Sequence, residues 1–430
     1  MTRHRIINER YRMFSETAAR PDDGPEFSVS DDIAAMGFQA AAGSRVLEGY
    51  RPVFDATAVS RLKAVGRSLV GKTNMDEFGF GMFTTTGPEV PRNPFDIRRS
   101  CGGSSGGAAC AAAVLDDHVA LGTSAGGSIT SPAAFCGIFG LTPTHGRVSR
   151  YGQIDSVSSM GSIGVLASKS SMLRECLPVI SGKDRMDPVS TVQPVLKLGK
   201  KLRSAAVPKG ITDGVGKDVR KAFDDSLDVL RGMSVDVEYV DMPSLRYALP
   251  AHYILSVTET ATNLVTYCGM RVGKQDGDLS LPFNDYFVSF RSRYFGREAK
   301  LRSIMGALMT SGENRNAFYL RSLGIRQLLL EDHKDVLRTH DVIVTPSMPS
   351  VAPNFSDIEG MSSVDRYVTG RFAVPPVFCG LPCLSVPCGY SGGMPAGMQL
   401  TSDHWDEGVL ISAAEEWEKM FPMKRPEVSV

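Results

Sequence analysis

Cys101-Gly-Gly-Ser-Ser-Gly-Gly107 and Gly122-Thr-Ser-Ala-Gly-Gly-Ser-Ile129 are two glycine-serine loops that flank a segment of small residues. Glycine lets a backbone turn tightly and aim consecutive N–H groups at one point, the geometry that holds a phosphate or a developing oxyanion. The phosphate-loop pattern fails, because no Gly-Lys-Ser/Thr follows either loop at the required spacing. A dinucleotide fingerprint fails as well, because no Gly-x-Gly-x-x-Gly stands between a strand and a helix.

Outward from these loops the chain alternates strand and helix signals. Asp55 is a predicted N-cap for a helix over 56–65, with Ala58, Val59, Leu62 and Val65 at helical spacing, and 68–71 reads as a short strand. The same rhythm returns as a strand over 202–207, a helix over 217–230 with Val219, Phe223, Leu227 and Leu230 on one face, and a strand over 235–240. An amphipathic stretch, 316–337, precedes a strand over 341–345 that ends at Pro346. Such alternation predicts an α/β fold in which a sheet is covered by helices. No internal repeat and no linker divides the chain.

The 430 residues carry 47 basic and 47 acidic side chains, so the formal net charge is zero; 42% of residues are hydrophobic and 22% charged. That balance excludes a disordered or polybasic protein and leaves clustered-cation nucleic-acid binding at most local. The stretch 291–338 has ten Lys/Arg against five Asp/Glu and reads as a solvated helix face. Eight thinly spread cysteines fit a reduced, intracellular protein, and Cys379, Cys383 and Cys388 lack the spacing of a zinc site, so no metal or cofactor is expected. No run approaches the roughly 18 apolar residues of a membrane span. Residues 1–23 form a basic N-terminal extension with Arg3, Arg5, Arg10, Arg12 and Arg20, a bias shared by mitochondrial targeting segments and by ordinary basic helices.

The two loops, with Pro132-Ala-Ala-Phe-Cys-Gly-Ile-Phe-Gly-Leu-Thr-Pro143, Gly146-Arg-Val-Ser-Arg-Tyr-Gly152, Gly71-Lys-Thr-Asn-Met-Asp-Glu-Phe78 and Arg92-Asn-Pro94, resemble the amidase signature family. Within it they are most similar to the branch formed by the A-subunit of glutamyl-tRNA(Gln) amidotransferase. Weaker matches, among them Phe295-Gly-Arg-Glu-Ala-Lys300 and Trp405-Asp-Glu407, extend the resemblance over roughly residues 24 to 420. It implies a single domain over 24–430, built on a large mixed β-sheet flanked by helices on both faces. It also implies a nucleophile at Ser128, a bridging serine at Ser104, and oxyanion donors at Ala125, Gly126 and Gly127. Arg302 and Asp406 fall where that branch would bind the carboxylate and amino groups of glutamine.

The third catalytic group of the family is a neutral lysine in a strand of the type Ile-x-Ile-Lys-Asp-Asn-Ile. Counting back from Lys72 at the family's spacing lands on Phe27-Ser-Val-Ser-Asp-Asp-Ile33, which places Ser30 at the lysine position. No register shift restores a lysine, because the first in the chain is Lys63. A serine hydroxyl is no base at neutral pH, and losing a general base typically costs on the order of 10²–10⁴ in rate. The nucleophile loop departs too: the family's Gly-Ser-Asp-Thr-Gly-Gly-Ser-Ile-Arg has Ser124 for its acid and Thr130 for its arginine. Losing one member of a buried ion pair costs about 3–5 kcal/mol whereas losing both is near neutral, so joint loss keeps the fold.

The resemblance and its departures define the expectations. The first is an amidase-fold pseudoenzyme that serves a structural or interaction role, with protein partners in a mitochondrial translation- or ribosome-related complex, including a ribonucleoprotein. The alternative is an active glutamine-hydrolysing amidotransferase component with a replacement base, such as Asp31 or a partner's side chain. A third is a glutamine sensor that uses Arg302 and Asp406 without hydrolysis.

Overall fold

The computed structural model describes residues 3–421 and 423–428. In chain order its first half comprises α1 (Arg3–Tyr11), β1 (Phe14–Thr17), β2 (Glu26–Ser30), α2 (Thr57–Ala64), β3 (Ser68–Thr73), α3 (Gly106–Val114), β4 (Val119–Ser124), α4 (Thr130–Cys136), β5 (Phe139–Thr142), β6 (Ser162–Ala167) and α5 (Ser170–Ile180). Next come β7 (Ser204–Pro208), α6 (Lys217–Gly232), β8 (Asp236–Val240), α7 (Leu245–Asn263), α8 (Phe283–Tyr294), α9 (Arg297–Thr310) and α10 (Arg321–Leu337). The chain closes with β9 (Val342–Pro346), α11 (Phe355–Gly360), α12 (Ser363–Val368), α13 (Val374–Phe378), β10 (Cys383–Ser391), β11 (Met394–Thr401) and α14 (Glu407–Met420).

Among the described residues, eleven strands join one mixed sheet in the order β1-β3-β2-β4-β6-β5-β10-β11-β9-β7-β8. Strands β2/β3, β2/β4, β7/β8 and β7/β9 are parallel and the other pairs antiparallel. Strands β3, β4 and β6 are buried at every position, as expected of strands covered on both faces. One face is packed by Leu62 of α2, Leu173 of α5, Phe223 of α6 and Trp417 of α14. The other carries α3, whose Gly-Gly-Ala-Ala-Cys-Ala-Ala-Ala-Val is buried all round, and α4. A helix without a polar face is stable only in such an interior.

The helix at 217–230 and the strands near 204, 236 and 342 are where the periodicity puts them. Two expectations need correction. Asp55 does not cap α2: Ala56 takes that position, and the Asp55 carboxylate accepts from Lys63 Nζ at 2.9 Å and Met36 N at 2.8 Å. Residues set apart as a basic extension are built into the sheet, because β1 pairs with β3 and Ile7, Tyr11 and Phe14 join the core beneath α3. Their arginines point outward while the apolar positions between them pack.

The basic stretch 291–338 is likewise divided by folding. Arg291 lies over the rings of Phe287 and Phe295, and Arg302 is buried. Arg326 donates to Ser159 O, Lys334 pairs with Asp403 and Arg338 with Asp335.

Candidate active site

Strands β2 and β4 run parallel, so their C-terminal ends deliver Asp31-Asp32 and Thr123-Ser124 to the same edge of the sheet, where α/β proteins place ligands. The first glycine-serine loop brings Ser104 to the start of α3, and the second brings Ser128 to the start of α4. Ser105 ties the loops together. Its N–H donates to Ser128 O at 3.2 Å, its Oγ donates to Thr123 O at 3.0 Å, and Thr123 N donates back to Ser105 Oγ at 3.2 Å. Ser104 and Ser128 thus share the wall of one cavity of about 930 Å³.

The nucleophile loop keeps its shape without the family's charges. Ser124 Oγ accepts from Gly127 N and Ser128 N, each at 3.1 Å, and Thr130 Oγ1 donates to Gly127 O at 3.4 Å. Gly127 sits at φ +100°, and a Cβ there would collide with Ala373, so no other residue fits. Of the three expected oxyanion donors, Gly127 is therefore engaged by Ser124. Ala125 and Gly126 line the cavity with N–H groups that meet no acceptor among the described residues.

Sequence reasoning missed the support behind this loop. His252 of α7 donates from Nε2 to Ala125 O at 2.7 Å, and its Nδ1 accepts from the Tyr367 hydroxyl of α12. Burial pushes the imidazole down to about 4, so it is neutral and its tautomer is fixed by the carbonyl. A lone histidine on an apolar helix face carries no sequence signal for such a role.

Ser30 is fully buried at the end of β2, outside the cavity wall, with its hydroxyl against Met75 Sδ at 3.4 Å. Asp31, the suggested replacement base, also points away: its carboxylate accepts from Gly43 N at 3.0 Å and Ser15 Oγ at 3.3 Å. Lys72 is buried on β3, with Nζ donating to Asp31 O at 3.3 Å and to Ile33 O, and burial pushes it down to about 8. Asp32 does line the cavity. Its Oδ2 accepts from Thr123 Oγ1 at 2.7 Å, its Oδ1 is buried with no partner among the described residues, and burial pushes it up to about 6.

Arg302 and Asp406 are not brought together. Arg302 is 7% exposed on the cavity wall, its guanidinium over the rings of Phe80 (4.8 Å) and Tyr253 (5.5 Å). Its Nε donates to Glu298 Oε1 at 3.0 Å and Nη1 to Ser256 Oγ at 3.1 Å, which leaves Nη2 without a partner among the described residues. Asp406 stands at the start of α14, paired with Lys200 Nζ at 2.7 Å and outside the cavity wall. The reason is local: Arg147 grips its neighbours, donating to Glu407 Oε1 at 2.7 Å and Trp405 O at 3.1 Å, so the turn belongs to the α14 face.

Among known proteins, the amidase family model matches residues 23–411 of the chain. The A-subunit of glutamyl-tRNA(Gln) amidotransferase from Carboxydothermus hydrogenoformans is 36% identical, over 97% of this chain and 89% of that protein. Its counterpart in an Anaeromyxobacter species is 37% identical, over 94% of this chain and 84% of that protein. Among solved structures, the Thermotoga maritima A-subunit of the same amidotransferase superposes with a TM-score of 0.83 at 27% identity, over 98% of this chain and 92% of that one.

Proposed function

This chain belongs to the amidase family, and on that premise we propose that it is the glutamine-hydrolysing component of an amidotransferase whose proton acceptor is not lysine. It works with protein partners, as do the relatives named for their place in a multisubunit amidotransferase. One observation carries the reading. Ser104, Ser128, Ala125, Gly126 and Arg302 all line a single cavity, and the Ala125 and Gly126 N–H groups and Arg302 Nη2 have no partner among the described residues.

That set suits a small amide bearing a carboxylate. Arg302 takes the carboxylate, since guanidinium geometry matches it and the rings of Phe80 and Tyr253 hold the plane of the fork. Ser128 Oγ attacks the amide carbon, and the oxygen that becomes negative is met by Ala125 N and Gly126 N. His252 holds the Ala125 carbonyl and Ser124 holds the next two N–H groups, of Gly127 and Ser128, so the loop is braced before substrate arrives.

A second reading, an amide-binding structural protein without turnover, is favoured by the Ser30 environment. No cation occupies the lysine's place, because Lys72 is committed to backbone carbonyls. Ammonia release from glutamine separates the two. The first reading expects slow turnover that Ser128→Ala abolishes; glutamine binding without release gives the second, and no binding at all removes both.

A further inference from the structure

We propose that Asp32 is the proton acceptor for the Ser104–Ser128 pair, taking from its own turn the part that a lysine at position 30 would play. This rests on the proposed amide cleavage and names the group that drives it. The strand that reads serine at the lysine position also reads Asp32 where the pattern Ile-x-Ile-Lys-Asp-Asn-Ile has asparagine. A cation is missing, and a carboxylate stands two residues further on, at the C-terminal end of β2.

Placement then singles Asp32 out. Thr123 donates to its Oδ2 at 2.7 Å, and the backbone of Thr123 is bonded to Ser105, the residue next to Ser104. Ser105 N in turn holds Ser128 O. Oδ1 is the atom that matters. A buried acceptor without a donor is unfavourable and rare, and here it belongs to a residue of the wall that also carries both serines.

The other bases on that wall are committed. Glu77 accepts from Ser44 Oγ and Gly296 N, Asp155 from Arg150 and Val157 N, and Glu298 from Arg302. Glu359 is exposed, and the basic nitrogen of His252 already accepts from Tyr367. The charged and titratable groups around Asp32 are Lys72 of β3, Asp31 beside it and the Tyr267 phenol, with the Thr123 hydroxyl bonded to Oδ2 and the Ser30 hydroxyl nearby but directed to Met75 Sδ. With its carboxyl pushed up to about 6, Asp32 is ionised at neutral pH and more basic than an ordinary carboxylate.

The step balances without a co-reactant beyond water. As Ser128 Oγ bonds to the amide carbon, its proton passes to Ser104 Oγ and the Ser104 proton passes to Asp32. When the C–N bond breaks, the leaving nitrogen takes that proton back through Ser104 and departs as ammonia. Water then repeats the transfer on the acyl-serine, releases the acid and restores Ser128.

The test uses the full chain, with ammonia release from glutamine and fluorophosphonate labelling of Ser128 followed from pH 4.5 to pH 8 for wild type, Asp32→Asn, Asp32→Glu and Ser128→Ala. Wild type is expected to gain both activities through a midpoint near 6. Asp32→Asn should lose on the order of 10²–10⁴ in rate together with the pH dependence, while still binding glutamate. Asp32→Glu should keep a measurable part of the rate with a displaced midpoint. If Asp32→Asn retains full turnover that Ser128→Ala abolishes, amide cleavage stands and the Asp32 assignment falls. If wild type neither turns over nor labels, the reading it rests on fails and this one with it.

Discussion

Arg302 is held in a slot that no other cation fits. A guanidinium can lie over the rings of Phe80 and Tyr253, donate to Glu298 and Ser256, and still keep one nitrogen without a partner among the described residues. Lysine carries one point charge and cannot do all of these at once. Arg302→Lys is therefore expected to weaken glutamate binding by roughly 10–100-fold, about 1.4–3 kcal/mol for a lost charge-assisted contact. Titration calorimetry with glutamate checks it, and unchanged circular dichroism shows that the fold is intact. Single residues differ in how far they are legible from sequence. The loops that carry Ser104 and Ser128 are, because glycines pressed against their neighbours leave a short pattern. Asp32 and Asp31 are adjacent and chemically identical, and only the turn after β2 decides that one faces the cavity and the other Gly43 and Ser15. Asp406 misleads for a similar reason, because its neighbours are seized by Arg147 and the turn is drawn to another face.

Helices α7 and α9 place Ser256 and Arg302, and they cross at Gly306. A Cβ at that position would fall on the Val257 carbonyl oxygen and the Ala261 side chain, so the two backbones touch there. Gly306→Ala should wedge the helices apart at a cost of about 1–3 kcal/mol and pull Arg302 from Ser256. The measurement is paired: a lowered melting temperature together with weakened glutamate binding, where a purely structural defect would leave binding by the folded fraction unchanged. On the opposite face α14 is fastened by Glu407, fully buried, which accepts from Arg147 Nε at 2.7 Å and Thr144 N at 2.9 Å. Glu407→Ala leaves a buried guanidinium unpaired and is expected to cost about 3–5 kcal/mol in urea unfolding. Elements are legible where a period is long enough to see. The face of α6 shows in its apolar spacing, whereas β1 is four residues long and sits among arginines whose charge hides the buried Tyr11 and Phe14 on either side of Met13.

Across the whole molecule, the eleven-stranded sheet gathers distant segments at one edge, and its fold class is readable because strand and helix signals alternate along the chain. The strand order is not readable, since β5 pairs with β10 only through contacts far apart in sequence. The same architecture buries Asp32 to 3% exposure, which gives it a thermodynamic signature. Its carboxyl titrates near 3.8 in the unfolded chain and near 6 in the fold, so between those values the unfolded state binds fewer protons. Stability therefore falls as pH rises through that window, and above pH 6 the full penalty is present, about 3 kcal/mol for a shift of roughly two units. Asparagine keeps an oxygen for the Thr123 hydroxyl and carries no charge. Asp32→Asn should thus be more stable than wild type at pH 7.5 by up to about 3 kcal/mol, with the gap closing as pH falls from 6 to 4. Urea unfolding of both proteins at pH 4.5 and pH 7.5 measures the difference directly. A gap that does not depend on pH would mean that Asp32 is not the group whose ionisation opposes folding. A gap that behaves as expected, in a variant that also loses Ser128 reactivity, would mark a carboxylate that lowers stability where it serves the reaction.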